Sequence, residues 1–142
     1  MKSASAARSR ARRFLVQALY QAAMTGASAA DVIEPFLADH NMRRADPDYF
    51  RELMTGIGAE AETLDGIIKQ HIDRGFGELD PVTRAILLLG SYELTRRLEV
   101  PYRVVINEAI ELAKMFGPSE SHRYVNSILD AVAKEHRSAE IQ

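Results

Sequence analysis

"ELDPVTRAILLLGSYELTRR", residues 78–97, is the stretch whose reading decides the fold. Asp80 followed by Pro81 marks a helix start. The carboxylate can accept from the free N–H groups of the first turn, and proline's fixed φ suits the first helical position, where its missing donor costs nothing. The centre, "AILLLG" at 85–90, is apolar nearly all round. A helix without a polar face belongs in the middle of a domain. Val100 before Pro101 ends the segment, because the proline ring pushes the preceding residue out of the α region.

Working outward, the same period continues on both sides. Over about 102–116, Val105, Ile106, Ala109, Ile110, Ala113 and Phe116 share one stripe, and Gly117-Pro118 stops it. A last helix is expected from near Ser119, with Ser119 and Ser121 as capping residues and Tyr124, Val125, Ile128, Leu129 and Val132 as its stripe. Upstream, Asp46-Pro47 repeats the start signal, and Phe50, Leu53, Met54, Ile57, Ala61, Leu64, Ile68 and Ile72 keep helical spacing. Gly56 and Gly58 are the places where so long a run would bend or break, and Gly75 and Gly77 would end it. Ser28 caps a second helix reaching about Asn41. The first helix is expected over 6–25, burying Ala11, Phe14, Leu15, Ala18, Leu19 and Ala22 and closing at Gly26. No stretch alternates with period two, so no strand is expected. The reading is an all-α, compact single domain spanning 1–142, of six or seven helices, with 1–6 and 137–142 flexible.

Bulk properties agree. The 142 residues are 46% hydrophobic and 27% charged, ordinary for one globular core. There is no cysteine, which removes disulfides and thiolate metal sites and fits a reducing, cytoplasmic setting. No apolar run reaches the roughly 20 residues a membrane span needs. "FLVQALYQAAM" after a basic start faintly resembles a leader, but Gln17 and Gln21 interrupt it at amphipathic spacing, so it reads as part of the fold.

The chemistry of an enzyme is missing. "LLLGSYE" lacks the lysine and second glycine of a phosphate loop. His40, His71, His122 and His136 stand too far apart for a helical metal pair, so no metal and no cofactor are expected. Ser119, Ser121 and His122 cluster without a positioned base or an oxyanion site, and Glu108 with Glu111 reads as surface charge.

Charge is unevenly placed. Residues 1–30 carry Lys2, Arg8, Arg10, Arg12 and Arg13 and no acid, a balance of +5. The other 112 residues hold 13 basic and 20 acidic side chains, a balance of −7. Cations on the first turns of a helix oppose the macrodipole, so "ARSRARRFLVQALYQAAM", 7–24, suggests an anionic ligand. On a helical wheel Arg10, Arg13, Gln17, Tyr20 and Gln21 share an arc opposite the buried stripe, while Arg8 and Arg12 border its other edge. The plain alternative is a solvated helix face.

Several segments carry a family resemblance: "RARRFLVQALY", "DYFRELMTGI", "LDGIIKQHI", "VPYRVVINEAIELAKMFG" and "HRYVNSILD". In this order they resemble the bacterial transcription antitermination factors of the NusB family, over essentially the whole chain. The resemblance implies two helical subdomains packed roughly perpendicular. It also implies a non-enzymatic role: binding the boxA element of ribosomal RNA leaders together with the ribosomal protein NusE, within an antitermination complex on RNA polymerase. Family RNA contacts map onto Arg8, Arg10 and Arg12. Arg13, Gln17 and Tyr20 join them from the wheel. Ser9 interrupts a tract often continuously basic in relatives. Four or five phosphate contacts would make log K fall against log salt with a slope of about −3. The NusE contact maps onto Phe116, Glu120 and Tyr124, with Glu120 in place of the usual Asp and Tyr124 in place of Phe. Other readings are a NusB-type RNA-targeting domain of an RNA methyltransferase, for which 142 residues leave no catalytic domain, and a helical scaffold that does not bind RNA. A homodimer formed through the first helix would hide its arginines.

Overall fold

The computed structural model describes residues 2–73 and 78–141. Every regular element among them is a helix: α1 Lys2–Thr25, α2 Ala29–Asp39, α3 Pro47–Ala59, α4 Ala61–Lys69, α5 Pro81–Arg96, α6 Tyr102–Phe116, α7 Ser121–His136 and α8 Ser138–Ile141. The chain divides into two compact units, residues 1–59 and 60–142. Eight helices rather than six or seven result from two local events. The long run from Asp46 breaks between Ala59 and Ala61, just past the two glycines, and a final turn forms beyond His136. Gly75 and Gly77, expected to end that run, lie outside the described residues; α4 ends at Lys69.

In the first unit α1, α2 and α3 each pack on the other two. Ser28 accepts from the Asp31 amide at 3.1 Å, and Gly26, at φ 77°, closes α1 through its amide to the Ala22 carbonyl at 2.9 Å. A left-handed residue at that position is what a helix end favours glycine for. Asp46 accepts from the Tyr49 amide at 3.0 Å and starts α3 as read from the sequence. Covered from two sides, α1 buries a wider arc than the expected stripe. Ala11, Arg12, Leu15, Val16, Ala18 and Leu19 are buried, while Phe14 and Ala22 are only half-buried. Phe14 stands edge-on to Phe36 at 6.0 Å, and Phe36 stacks on Phe50 at 5.4 Å. Such pairs add about 0.5–1.5 kcal/mol beyond the area they bury.

In the second unit α5 is the central element, packed against α4, α6 and α7. Asp80 caps it, accepting from the amides of Val82 at 3.0 Å and Thr83 at 3.1 Å. Ala85, Ile86, Leu87 and Leu89 are buried, as the all-round apolar run requires. Gly90 lets α7 come close: a Cβ there would stand 2.6 Å from Leu129 Cδ1, and Leu129 is itself fully buried.

The end of α5 is closed by a residue from the far end of the chain. Arg137 is 5% exposed. Its Nε donates to the Leu94 carbonyl at 2.8 Å, and Nη2 donates to the carbonyls of Glu93, Arg97 and Val100 at 3.2, 3.1 and 2.9 Å. Helix C-termini leave carbonyls without partners and carry partial negative charge, and a buried guanidinium answers both. Nη1 donates to Glu140 at 2.6 Å, and Glu140 also accepts from the Tyr102 amide at 2.9 Å, at the first turn of α6. The Tyr102 amide first, and the Arg137 guanidinium after it, hold the Glu140 carboxyl below its ordinary range. The segment after His136, expected to be loose, is thus tied back by five hydrogen bonds, and the Arg137–Glu140 pair braces it internally.

Candidate nucleic-acid interface

The two edges of α1 meet different surroundings. On one edge Arg8 lies over the ring of Tyr49, 4.2 Å from its centre, and Arg12 lies 5.6 Å from the same ring. Tyr49 comes from the first turn of α3 and is buried. Arg12 is 3% exposed, its stem sharing the core with Ala11 and Leu15. Long cationic side chains cover apolar surface with their methylenes, and a desolvated cation–π contact is worth up to about 2 kcal/mol. The expected RNA contact of Arg12 thus falls on a buried side chain: α3 covers that edge of α1, and the Arg12 guanidinium lies beside the Tyr49 ring. Arg8, half-buried, shares the same ring.

The other edge is open. Arg13 is exposed, and Arg10 is half-buried. Arg10 Nη1 donates to the Arg44 carbonyl at 3.2 Å, which fixes the guanidinium without neutralising it. Gln17 Nε2 donates to the Arg13 carbonyl at 3.2 Å, one helical turn back. Tyr20 is 41% exposed, with Met24 exposed one turn further on. The structure therefore brings together Arg10, Arg13, Gln17 and Tyr20, as the wheel read them, and separates Arg8 and Arg12 from them. Sequence reasoning missed Tyr49, whose ring claims two of the arginines. Its position three residues after the Asp46 cap places it on the first turn of α3, but nothing local says which helix that turn meets.

The residues mapped to a protein partner lie in the second unit. Glu120 precedes α7 with φ 68°, the one non-glycine residue in the left-handed region among those described. It caps nothing; its carboxylate pairs with Arg123 at 2.8 Å. The serine caps expected here are not made, and α7 begins at Ser121 rather than Ser119. Glu120 and Tyr124 line one cleft of about 400 Å³ with Asp80, Thr83, Pro118 and Ser121. Phe116 is half-buried at the end of α6 and is not among the residues lining that cleft. Among the described residues no group of three or more His, Cys, Asp or Glu is placed to hold a metal ion. No helix among them is long and apolar enough to cross a membrane.

Comparison with known proteins agrees over most of the chain. The family model described as "NusB family" matches residues 9–134. The transcription antitermination protein NusB of Alcanivorax borkumensis is 47% identical over 138 residues, covering 97% of this chain and 92% of the relative. That of Halorhodospira halophila is 55% identical over 123 residues, covering 87% and 79%. Among solved structures, T. maritima NusB superposes with a TM-score of 0.82 at 31% identity, covering 91% of this chain and 92% of that one. A structure of antitermination factors NusB and NusE in complex with dsRNA shares the fold, with a TM-score of 0.76 at 24% identity over 95% and 98% of the two chains.

Proposed function

Because this chain belongs to the NusB family, we propose that it works as a transcription antitermination protein, binding RNA and catalysing no reaction. Its RNA is the boxA element of ribosomal RNA leaders, bound together with NusE, and the pair acts within the antitermination complex on RNA polymerase. The solved complex of NusB, NusE and RNA, which shares this fold, supports that pairing. A protein working on a nascent transcript at the polymerase works in the cytoplasm.

The observation that carries the reading at residue level is the open edge of α1. Arg10 and Arg13 present guanidinium groups that stay charged, grip phosphate bidentately and stack on bases. Tyr20, exposed on the same edge, offers a ring on which an unstacked base can lie, and Gln17 can reach a base edge. Arg8 contributes at its exposed margin, beside Tyr49. For NusE we assign Glu120 and Tyr124 at the α7 cleft, with Phe116 at the end of α6.

The test is binding of a boxA oligonucleotide and a scrambled oligonucleotide of equal length, each with and without NusE. Preference for boxA, strengthened by NusE, is expected. Equal affinity for the two RNAs sinks the specific function, and a salt slope near zero removes α1 from the interface. Replacing Glu120 with Arg is expected to leave the fold intact and weaken capture of NusE; unchanged capture removes Glu120 from the partner surface.

A further inference from the structure

We infer that the turn between α2 and α3 is a second RNA-contacting element, whose Arg43 and Arg44 hold backbone phosphates of the same strand that lies on the open edge of α1. The inference rests on the RNA-binding reading above and adds residues to it.

The turn is built, not loose. The Ala45 amide donates to the Met42 carbonyl at 2.9 Å, closing a β-turn with Arg43 and Arg44 at its two central positions. Asn41 Oδ1 accepts from the Arg43 amide at 2.9 Å and orders the entry. Two bonds then pin the turn to α1: the Asp46 amide donates to the Ala7 carbonyl at 3.2 Å, and Arg10 Nη1 donates to the Arg44 carbonyl at 3.2 Å. Both turn side chains are exposed. The fold therefore sets two arginines at a corner beside Arg10 and, one helical turn on, Arg13.

Two of the nearby acids are already engaged. Asp46 accepts from the Tyr49 amide, and Glu34 pairs with Arg51 at 3.2 Å. Among the described residues, no carboxylate forms an ion pair with Arg10, Arg13, Arg43 or Arg44. Four like charges gathered on one surface repel each other, and a polyanion relieves this by exchanging its condensed counterions for them. Neither turn side chain makes any of the bonds that hold the turn, which run through main-chain groups, the Asn41 carboxamide and the Arg10 guanidinium. With Arg12 withdrawn into the core, these two bring the cations to four with Arg10 and Arg13, and to five with Arg8, the count that a slope near −3 requires.

The experiment measures anisotropy of labelled boxA and scrambled single-stranded RNA from 50 to 400 mM KCl. Four phosphate contacts give a slope of about −2.8 for the unmodified protein. The Arg43→Gln/Arg44→Gln variant should show about −1.4, with affinity roughly 10- to 30-fold lower at 0.1 M salt. The loss should be the same factor for both RNAs, because phosphate contacts carry no sequence information. Arg43→Lys/Arg44→Lys should keep the slope, and both variants should keep the helical circular dichroism and melting point. If the Gln pair leaves slope and affinity unchanged while Arg10→Gln/Arg13→Gln lowers them, this inference is overturned and the α1 reading stands. If the Gln pair weakens NusE capture but not RNA binding, the turn serves a protein instead and the inference fails. An unmodified protein that binds neither RNA overturns the RNA reading and this inference together.

Discussion

The open edge of α1 and the junction after α7 both hold arginine, and they use the same side chain in opposite ways. At the junction Arg137 is buried and donates to four backbone carbonyls and a carboxylate. On α1 and its neighbouring turn, Arg10 meets one carbonyl and Arg13, Arg43 and Arg44 face solvent. Arg12 stands between these extremes, buried against an aromatic ring. The difference teaches that the type and charge of a residue do not set its task. The acceptors that the fold brings to its guanidinium do. Where carbonyls at a helix end are left over, arginine becomes part of the scaffold. Where none are supplied, the charge remains for a ligand.

Removing Arg137 tests the comparison most severely. Arg137→Ala would take the guanidinium donor from the Leu94 and Val100 carbonyls, each loss costing about 1–3 kcal/mol, while the Glu93 and Arg97 carbonyls keep the amides of Arg97 and Val100. A loss of at least about 3 kcal/mol is expected in urea unfolding, along with loss of binding to any partner once the second unit melts. A shift below about 1 kcal/mol would mean that water replaces the cage, and the contrast with α1 would collapse.

Arg12→Ala is expected to cost less, about 1–2 kcal/mol, through the lost contact with Tyr49 and the packing of its stem. At temperatures where the variant is folded, the salt slope of RNA binding should match that of the unmodified protein. A slope shallower by about 0.7 would return Arg12 to the RNA and erase the distinction between the two edges of α1.

The smallest effect concerns Glu140, and it appears only in acid. Its folded pKa is lowered, chiefly by the Tyr102 amide, so its contribution to stability is complete above the ordinary Glu value of about 4.3. That contribution disappears as pH falls through the lowered folded value. Glu140→Gln should therefore flatten the dependence of stability on pH below about 5 while changing little at neutrality. An acid-unfolding profile identical to that of the unmodified protein would show that Arg137 holds the junction without its carboxylate.

Much of this was legible in one dimension. The Asp80 and Asp46 starts, the Ser28 cap, the Gly26 stop and the Val100-Pro101 break depend on bonds within a few residues, and each formed as read. The apolar run at 85–90 placed α5 centrally because no polar face was available to meet water. The edge bearing Arg10, Arg13, Gln17 and Tyr20 followed from helical period alone. The serine caps before α7 misled, because the backbone turned left-handed at Glu120 and carried both serines away from the cap position.

By itself, then, the sequence determined the helices, the central element and the cationic character of α1, since these depend on period, capping and composition. Only the tertiary structure decided which arginines are free. Arg12 is claimed by a tyrosine 37 positions away, and Arg137 by carbonyls 37 to 44 positions away. Arg43 and Arg44 gain a neighbour only because the turn is pinned to Ala7 and Arg10. A guanidinium can be satisfied by any acceptor the fold delivers, and that delivery is a property of packing between helices, which no local pattern encodes.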